Sequence, residues 1–389
     1  MNAAAAPGAP GIRLVRSIAE VGREAWDRIS ADRSVYLGHP WLDWAEQSDE
    51  YRSGYLLAED PEGRLLGALP YYLWHGGTGV SMNQAYHPLD LLAVPRLGAA
   101  AEAERPLWLP LLLLGSRAGY HGGVLTDPAL PGPHRALVIA RLLEAARELA
   151  DRSGAGATAL LYAPEPHAAE CLAALERHCP DATPPEHAPL SAEAVIPVDE
   201  SARNHSGRRR REFQREARAF AASGGTVGRV RLSDCWREAG PLLGRLQRKY
   251  GEDDSDEAMT SYLEQQTAFL DPWSEVLVER RDGRLTGFAL CYAWGDTLHV
   301  RAAGFDEDAG PYAYFNLGVY EPLRLAAERG LAWVDLGTGA YQGKLLRGAH
   351  LRPTHALVWP PTATSPQIRA TLRLPGTDYQ QATTAAHHP

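Results

Sequence analysis

Two β-hairpins of the same design, far apart in one chain, constrain the fold more than any other feature of this sequence. In the first, the apolar run Tyr55-Leu56-Leu57-Ala58-Glu59 meets the turn formers Asp60-Pro61-Glu62-Gly63 and a second apolar run over residues 65–73. In the second, Glu275-Val276-Leu277-Val278-Glu279 leads through Asp282-Gly283 into an apolar run over residues 285–292. Strand-length apolar runs on either side of a Gly-containing turn read as hairpins. Their recurrence predicts a duplicated domain, and 389 residues leave room for two cores.

The text between the hairpins alternates helical and strand patterns. Residues 25–29, 236–249, 260–270 and 312–329 read as helices, the last closing on Gly330. Residues 134–152 carry Leu137, Ile139, Ala140, Leu143, Ala146 and Leu149 near helical spacing. Strands are expected at 122–126, 157–162, 194–198, 296–302 and 332–337, with turn formers over 179–187. The implied class is α/β (α+β). We expect a flexible N-terminus at 1–11, a first lobe at 12–195, a second at 196–374 and a flexible tail at 375–389.

Composition enters as a filter. With 45% hydrophobic and 22% charged residues the chain is of globular type, and a net charge of −9 restricts any polyanion site to a local patch. Cys171, Cys179, Cys235 and Cys291 show neither CxxC nor zinc-site spacing, so reduced thiols and no metal are expected. The first residues lack the basic and apolar regions of a secretory signal. The apolar run over 107–114, broken by Pro110, is too short to cross a bilayer. The expected location is cytoplasmic, with no membrane partner. HExxH, GxSxG and GxxxxGK[ST] are absent from the sequence, which leaves zinc proteolysis, elbow-type serine hydrolysis and P-loop chemistry without support.

Four stretches carry a family resemblance: residues 37–44 (Leu-Gly-His-Pro-Trp-Leu-Asp-Trp), the basic segment 204–216, the helical pattern 320–330, and Asp335-Leu336-Gly337-Thr338-Gly339-Ala340-Tyr341-Gln342-Gly343-Lys344-Leu345-Leu346-Arg347-Gly348. In the last, a strand ends in Asp-x-Gly and a loop follows with Lys and Arg-Gly. The chain resembles the GNAT-type acyltransferases and, among them, the duplicated Fem-type aminoacyltransferases and their peptidoglycan-biosynthesis relatives. The resemblance implies two tandem GNAT-like lobes, each a mixed, mainly antiparallel sheet flanked by helices, and transfer of an acyl or aminoacyl group to an amine. GNAT enzymes that use acyl-CoA hold its pyrophosphate in an Arg/Gln-x-x-Gly-x-Gly/Ala loop that opens a helix. Here the corresponding helix follows Asp306-Glu307-Asp308, and Arg301-Ala302-Ala303-Gly304-Phe305 lacks the second glycine. Like charges repel, which leaves aminoacyl-tRNA, the donor that resemblance to the Fem branch implies, as the expected donor, with no bound cofactor; the alternatives are acetyl-CoA or another acyl-CoA as donor, or a non-catalytic GNAT-like module that binds RNA or a partner through the arginine segment.

Arg203, Arg208, Arg209, Arg210, Arg211, Arg215 and Arg218 face only Glu212 and Glu216 in the basic segment, and Ser206 reads as its helix cap. Guanidinium groups suit bidentate phosphate contacts, so Arg208, Arg209, Arg210, Arg211, Arg215 and Arg218 are the candidate donor-binding set; a solvated helix face is the plainer alternative. Lys344 and Arg347, in a glycine-punctuated loop, are candidates to steady the reacting ester, or else they pair with Asp335 or helix ends. Asp335 is a candidate to orient that loop or bind the amine, although Asp before Gly is also a common turn maker. His299 and Tyr341 are the candidate bases. The acceptor, a small-molecule or peptide amine plausible for bacterial specialised metabolism such as antibiotic biosynthesis, is expected against His39, Trp41, Trp44, Tyr86, His87 and Asp90 in the first lobe. Tyr312, Asn316 and Tyr320 join them from the second. Aromatics at such spacing are equally core residues.

Overall fold

The computed structural model describes residues 10–31, 34–48, 50–77, 87–117, 119–199 and 207–387, with the side chains of 207–210 outside that description. Tyr86, Arg203 and Ser206, and the side chains of Arg208, Arg209 and Arg210, therefore lie outside the described residues. The strands in chain order are β1 (Gly11–Val15), β2 (Tyr51–Glu59), β3 (Leu65–Trp74), β4 (Leu111–Leu114), β5 (Leu125–Thr126), β6 (Ala157–Pro164) and β7 (Glu186–Pro197). They continue with β8 (Thr226–Val230), β9 (Ser274–Arg281), β10 (Arg284–Trp294), β11 (Thr297–Phe305), β12 (Trp333–Asp335) and β13 (His350–Trp359). The chain divides into two compact units. The first holds the described residues up to 77, 87–191 and 353–380; the second holds 192–352 and 381–387.

In the first unit the strands run in the order β1-β2-β3-β4-β6-β13-β7, with β5 beside β3. The β2–β3 pair is the expected first hairpin, and β4 and β6 are parallel from Leu111↔Ala157 to Leu114↔Leu160. One face is covered by the helix Gly132–Ser153, whose Val138, Ile139, Leu142, Leu143 and Ala146 form the buried stripe. The helix Arg23–Ser30 packs Trp26 and Ile29 into a second cluster with Leu57 and Ala68.

In the second unit the order is β7-β12-β11-β10-β9-β8. The hairpin β9–β10 turns through Asp282 and Gly283 with φ of 50° and 80°. Two consecutive residues with positive φ make the turn whose twist matches that of the strands, which is why Asp-Gly stands there. The helices Trp236–Lys249 and Asp256–Leu270 are the expected pair. The helical stretch over 313–328 is continuous but widens into a π-turn at Asn316–Tyr320. Local widenings of this kind re-aim side chains.

Three expectations need correction. The division falls between Ser191 and Ala192 rather than at 195, and residues 353–380 belong to the first unit rather than the second. β13 passes beside β6 there, and long-range strand pairing of this kind leaves no local sequence signal. The tail expected to be flexible forms the helix Thr377–His387: Ser191 donates a hydrogen bond to Asp378, and Ala382 is fully buried. Residues expected as a loop around Lys344 form the short helix Tyr341–Leu346. No helix among the described residues is long and apolar enough to cross a membrane.

Candidate active site

The second unit gathers the polar side chains where two parallel strands part. β11 and β12 pair over only three residues, ending at His299↔Asp335. Beyond that point β11 runs on through Val300–Phe305 with β10 on one side, while the chain after Asp335 pairs with β7 through Leu336 N–H to the Ala194 carbonyl at 2.9 Å. A strand edge freed in this way offers backbone N–H and C=O groups to an amide-bearing ligand.

At the fork Asp335 Oδ2 meets His299 Nδ1 at 3.0 Å, and Asp335 Oδ1 accepts from Gly337 N–H at 2.8 Å. Both side chains are buried. In the neutral ring, donation from Nδ1–H to the carboxylate leaves Nε2 as the basic nitrogen, the arrangement of an oriented acid–base histidine. The sequence reading named these two residues separately; the structure joins them.

Lys344 and Arg347 have structural partners. Lys344, 4% exposed, donates from Nζ to the carbonyls of Leu336 at 2.7 Å, Gly337 at 3.3 Å and Thr338 at 2.7 Å. Three donors on one ammonium meet three carbonyls of the segment after Asp335, so Lys344 acts on the fork by fixing that segment. Arg347 donates from Nη2 to both oxygens of Glu216 at 3.0 and 2.8 Å, from Nη1 to the Gly343 carbonyl at 3.0 Å and from Nε to the Tyr320 hydroxyl at 3.0 Å. Its guanidinium lies 3.2 Å from the centroid of Phe315. The Tyr320 hydroxyl donates to Glu216 at 2.5 Å, and burial together with that acceptor pushes the phenol pKa up. Arg347, Glu216 and Tyr320 thus form one closed network. The Tyr341 hydroxyl donates to the Ala192 carbonyl at 3.0 Å, and Asn316 caps the Tyr312 carbonyl at 2.9 Å; Tyr312 itself is 42% exposed.

The basic helix spans Gly207–Ala221. Glu216 and Phe220 are buried, whereas Arg211, Arg215 and Arg218 are exposed. The three arginines stand at helical spacings of four and three, hence on one outward face. Their described partners are weak: Arg215 lies 3.8 Å from Glu212, and Arg218 donates to Gln214 at 3.4 Å.

The turn before the helical stretch at 313 is held by a buried carboxylate. Gly310 N–H donates to both oxygens of Glu279 at 3.1 and 3.0 Å, and Arg281 holds the same carboxylate at 2.9 Å. Glu279 is fully buried. Asp306 and Asp308 are both paired with Arg284. A carboxylate therefore stands on a backbone N–H of the turn that leads into this stretch, three residues before its first helical residue. Sequence reading missed Glu279; a lone acid ending the apolar run Val276-Leu277-Val278 was the available signal.

The described acceptor residues expected in the first unit are held by packing and local pairs. Trp41 and Trp44 are buried and pack edge-on, centroids 4.9 Å apart, with His39 half-buried at the start of their helix. His87 sits between Trp74 and Trp108, its Nδ1 accepting from Leu89 N–H at 3.1 Å, and burial lowers its pKa to about 4. Asp90 is paired with Arg105. Trp41, Trp44 and His87 read as core, and Asp90 as the exposed partner of Arg105. The parallel pair β4–β6 is also closed: just past it, Gly122 N–H takes the Tyr162 carbonyl at 3.0 Å.

Residues 207–345 match the family model described as the acetyltransferase (GNAT) domain. No curated protein matches the sequence. Among solved structures, the chain is similar to FemX (13% identity, TM-score 0.57, 88% of this chain and 96% of that one). It is also similar to a conserved protein of unknown function from Bacteroides thetaiotaomicron (12% identity, TM-score 0.56, 90% and 99%). A third likeness is the C-terminal domain of a putative lysylphosphatidylglycerol synthetase from Agrobacterium fabrum (15% identity, TM-score 0.50, 95% and 97%). At such identities these likenesses speak to the fold, which they cover almost end to end. The strand fork and its buried histidine–aspartate pair thus lie within residues 207–345, the part of the chain that matches the GNAT acetyltransferase domain.

Proposed function

We propose that the protein transfers an aminoacyl group from aminoacyl-tRNA to the amine of a small-molecule or peptide acceptor, in bacterial specialised metabolism. The observation that carries this reading is the Glu279 carboxylate on Gly310 N–H. It opposes a pyrophosphate in the turn before the helix and so favours a donor held elsewhere. The outward face of Arg211, Arg215 and Arg218 suits the phosphates of an RNA end. An aminoacyl ester is already activated, so the enzyme has to position the amine, remove its proton and steady the oxyanion. His299, oriented by Asp335, is the base in this scheme, and the segment fixed by Lys344 presents the neighbouring backbone.

The match to an acetyltransferase family favours the second reading, an acyl-CoA donor with the same base. One experiment separates the two: binding of mixed aminoacyl-tRNA and of acetyl-CoA to the purified chain at 50 and 200 mM salt. If Arg211, Arg215 and Arg218 each meet one phosphate, tRNA affinity falls about 20- to 40-fold over that range. Acetyl-CoA binding together with salt-insensitive tRNA binding would overturn the tRNA assignment.

A further inference from the structure

The first unit contains a cavity of about 630 Å³ that none of the candidate site residues lines. That volume is typical of small-molecule sites. Its walls are apolar: Leu73 and Leu112 from β3 and β4, Leu149 from the last turns of the helix Gly132–Ser153, and Leu14 from β1 at the mouth. Leu14 is 40% exposed, unusual for a leucine on a strand.

Two cations and one tyrosine hydroxyl border this apolar space. Arg16 and Arg52 line the rim, both exposed, and among the described residues neither belongs to an ion pair. Other surface arginines of this unit are paired: Arg13 with Glu59, Arg28 and Arg64 with Asp127, Arg105 with Asp90. Tyr71 is 8% exposed and lines the cavity, yet its hydroxyl makes no hydrogen bond among the described residues. Its ring lies across Gly54, in the place a side chain on that residue would fill. A hydroxyl without a protein partner in a leucine-walled cavity, beside two guanidinium groups outside any ion pair, is suited to receive a hydrogen-bond partner from a ligand.

We infer that this cavity binds an amphipathic anion, a carboxylate or phosphate head on an apolar chain or ring. The apolar body lies against Leu73, Leu112 and Leu149, and the head accepts hydrogen bonds from Arg16, Arg52 and the Tyr71 hydroxyl. The assignment is independent of the acyl donor and of His299.

Isothermal titration calorimetry with decanoate, and with 1-decanol as its uncharged counterpart, tests the site on the whole chain. Decanoate binds the wild-type protein. The double variant Arg16→Ala/Arg52→Ala, altered only at exposed rim positions, weakens decanoate at least about tenfold, because hydrogen bonds to charged groups contribute on that scale. It leaves 1-decanol within about twofold. Tyr71→Phe weakens decanoate by a smaller factor, with an unchanged circular dichroism melt of the rim variant confirming the fold. Absence of decanoate binding at millimolar concentration, or equal affinity in the wild-type and double variant, overturns the proposal.

Discussion

Removing the Glu216 carboxylate should destabilise the second unit more than any other single change on the basic helix. Glu216 and Arg347 are 7% and 6% exposed as side chains. The acid accepts two hydrogen bonds from the guanidinium and one from Tyr320. In Glu216→Ala the guanidinium stays in place with only the Gly343 carbonyl, the Tyr320 oxygen and the Phe315 face around it. Leaving one partner of a buried pair uncompensated costs about 3–5 kcal/mol. For a domain of this size each kcal/mol moves the midpoint by about 2–4 °C, so the loss is about 6–20 °C. Replacing both partners, Glu216→Met/Arg347→Met, removes the stranded charge and should be less destabilising than Glu216→Ala alone. Thermal and urea unfolding followed by circular dichroism read these values, with the transition of the first unit as an internal reference. A Glu216→Ala cost below about 1 kcal/mol, or a double variant as unstable as the sum of the singles, would refute the network as a stabilising unit.

Further expectations follow from the fork and from the first unit. Asp335→Asn keeps the shape but loses the tautomer-fixing carboxylate, and should lower the acyl-transfer rate about 10²- to 10⁴-fold with little change in melting midpoint; a wild-type rate removes His299 from the chemistry. Lys344→Met strands the carbonyls of Leu336, Gly337 and Thr338 and should cost about 1.5–3 kcal/mol. It should also raise hydrogen exchange at the Gly337 amide, and exchange unchanged there contradicts the fixing role. His87 titrates at about 4 in the fold, lowered first by burial, with Asp90 raising it and Arg105 lowering it. The unfolded chain binds that proton near pH 6.5, so the stability tied to neutral His87 is complete above that pH and is lost as pH falls toward 4. The loss is about 3 kcal/mol, read as a pH-dependent urea midpoint that His87→Phe flattens.

Much of the framework was legible in the sequence because it is local. Hydrophobic period and turn chemistry placed the two hairpins, the helix Trp236–Lys249, the helix Gly132–Ser153 and the strand before Asp335-Leu336-Gly337. The same letters named His299, Asp335, Lys344 and Arg347 as residues of interest. What each does was settled at long range. Glu216 reaches Arg347 across 131 positions and His299 reaches Asp335 across 36, and no propensity or spacing rule encodes such pairs. Tertiary packing made Lys344 a clasp on three carbonyls, set Glu279 on Gly310 and turned Trp41, Trp44 and His87 inward. A buried polar group must find a partner, and which partner is within reach depends on how separate segments meet. The sequence by itself determined which segments pair locally and where the charges lie along the chain. The tertiary structure decided which charges are spent inside the fold, as in Glu216 with Arg347, and which, as Arg211, Arg215 and Arg218 or Arg16 and Arg52, are left exposed.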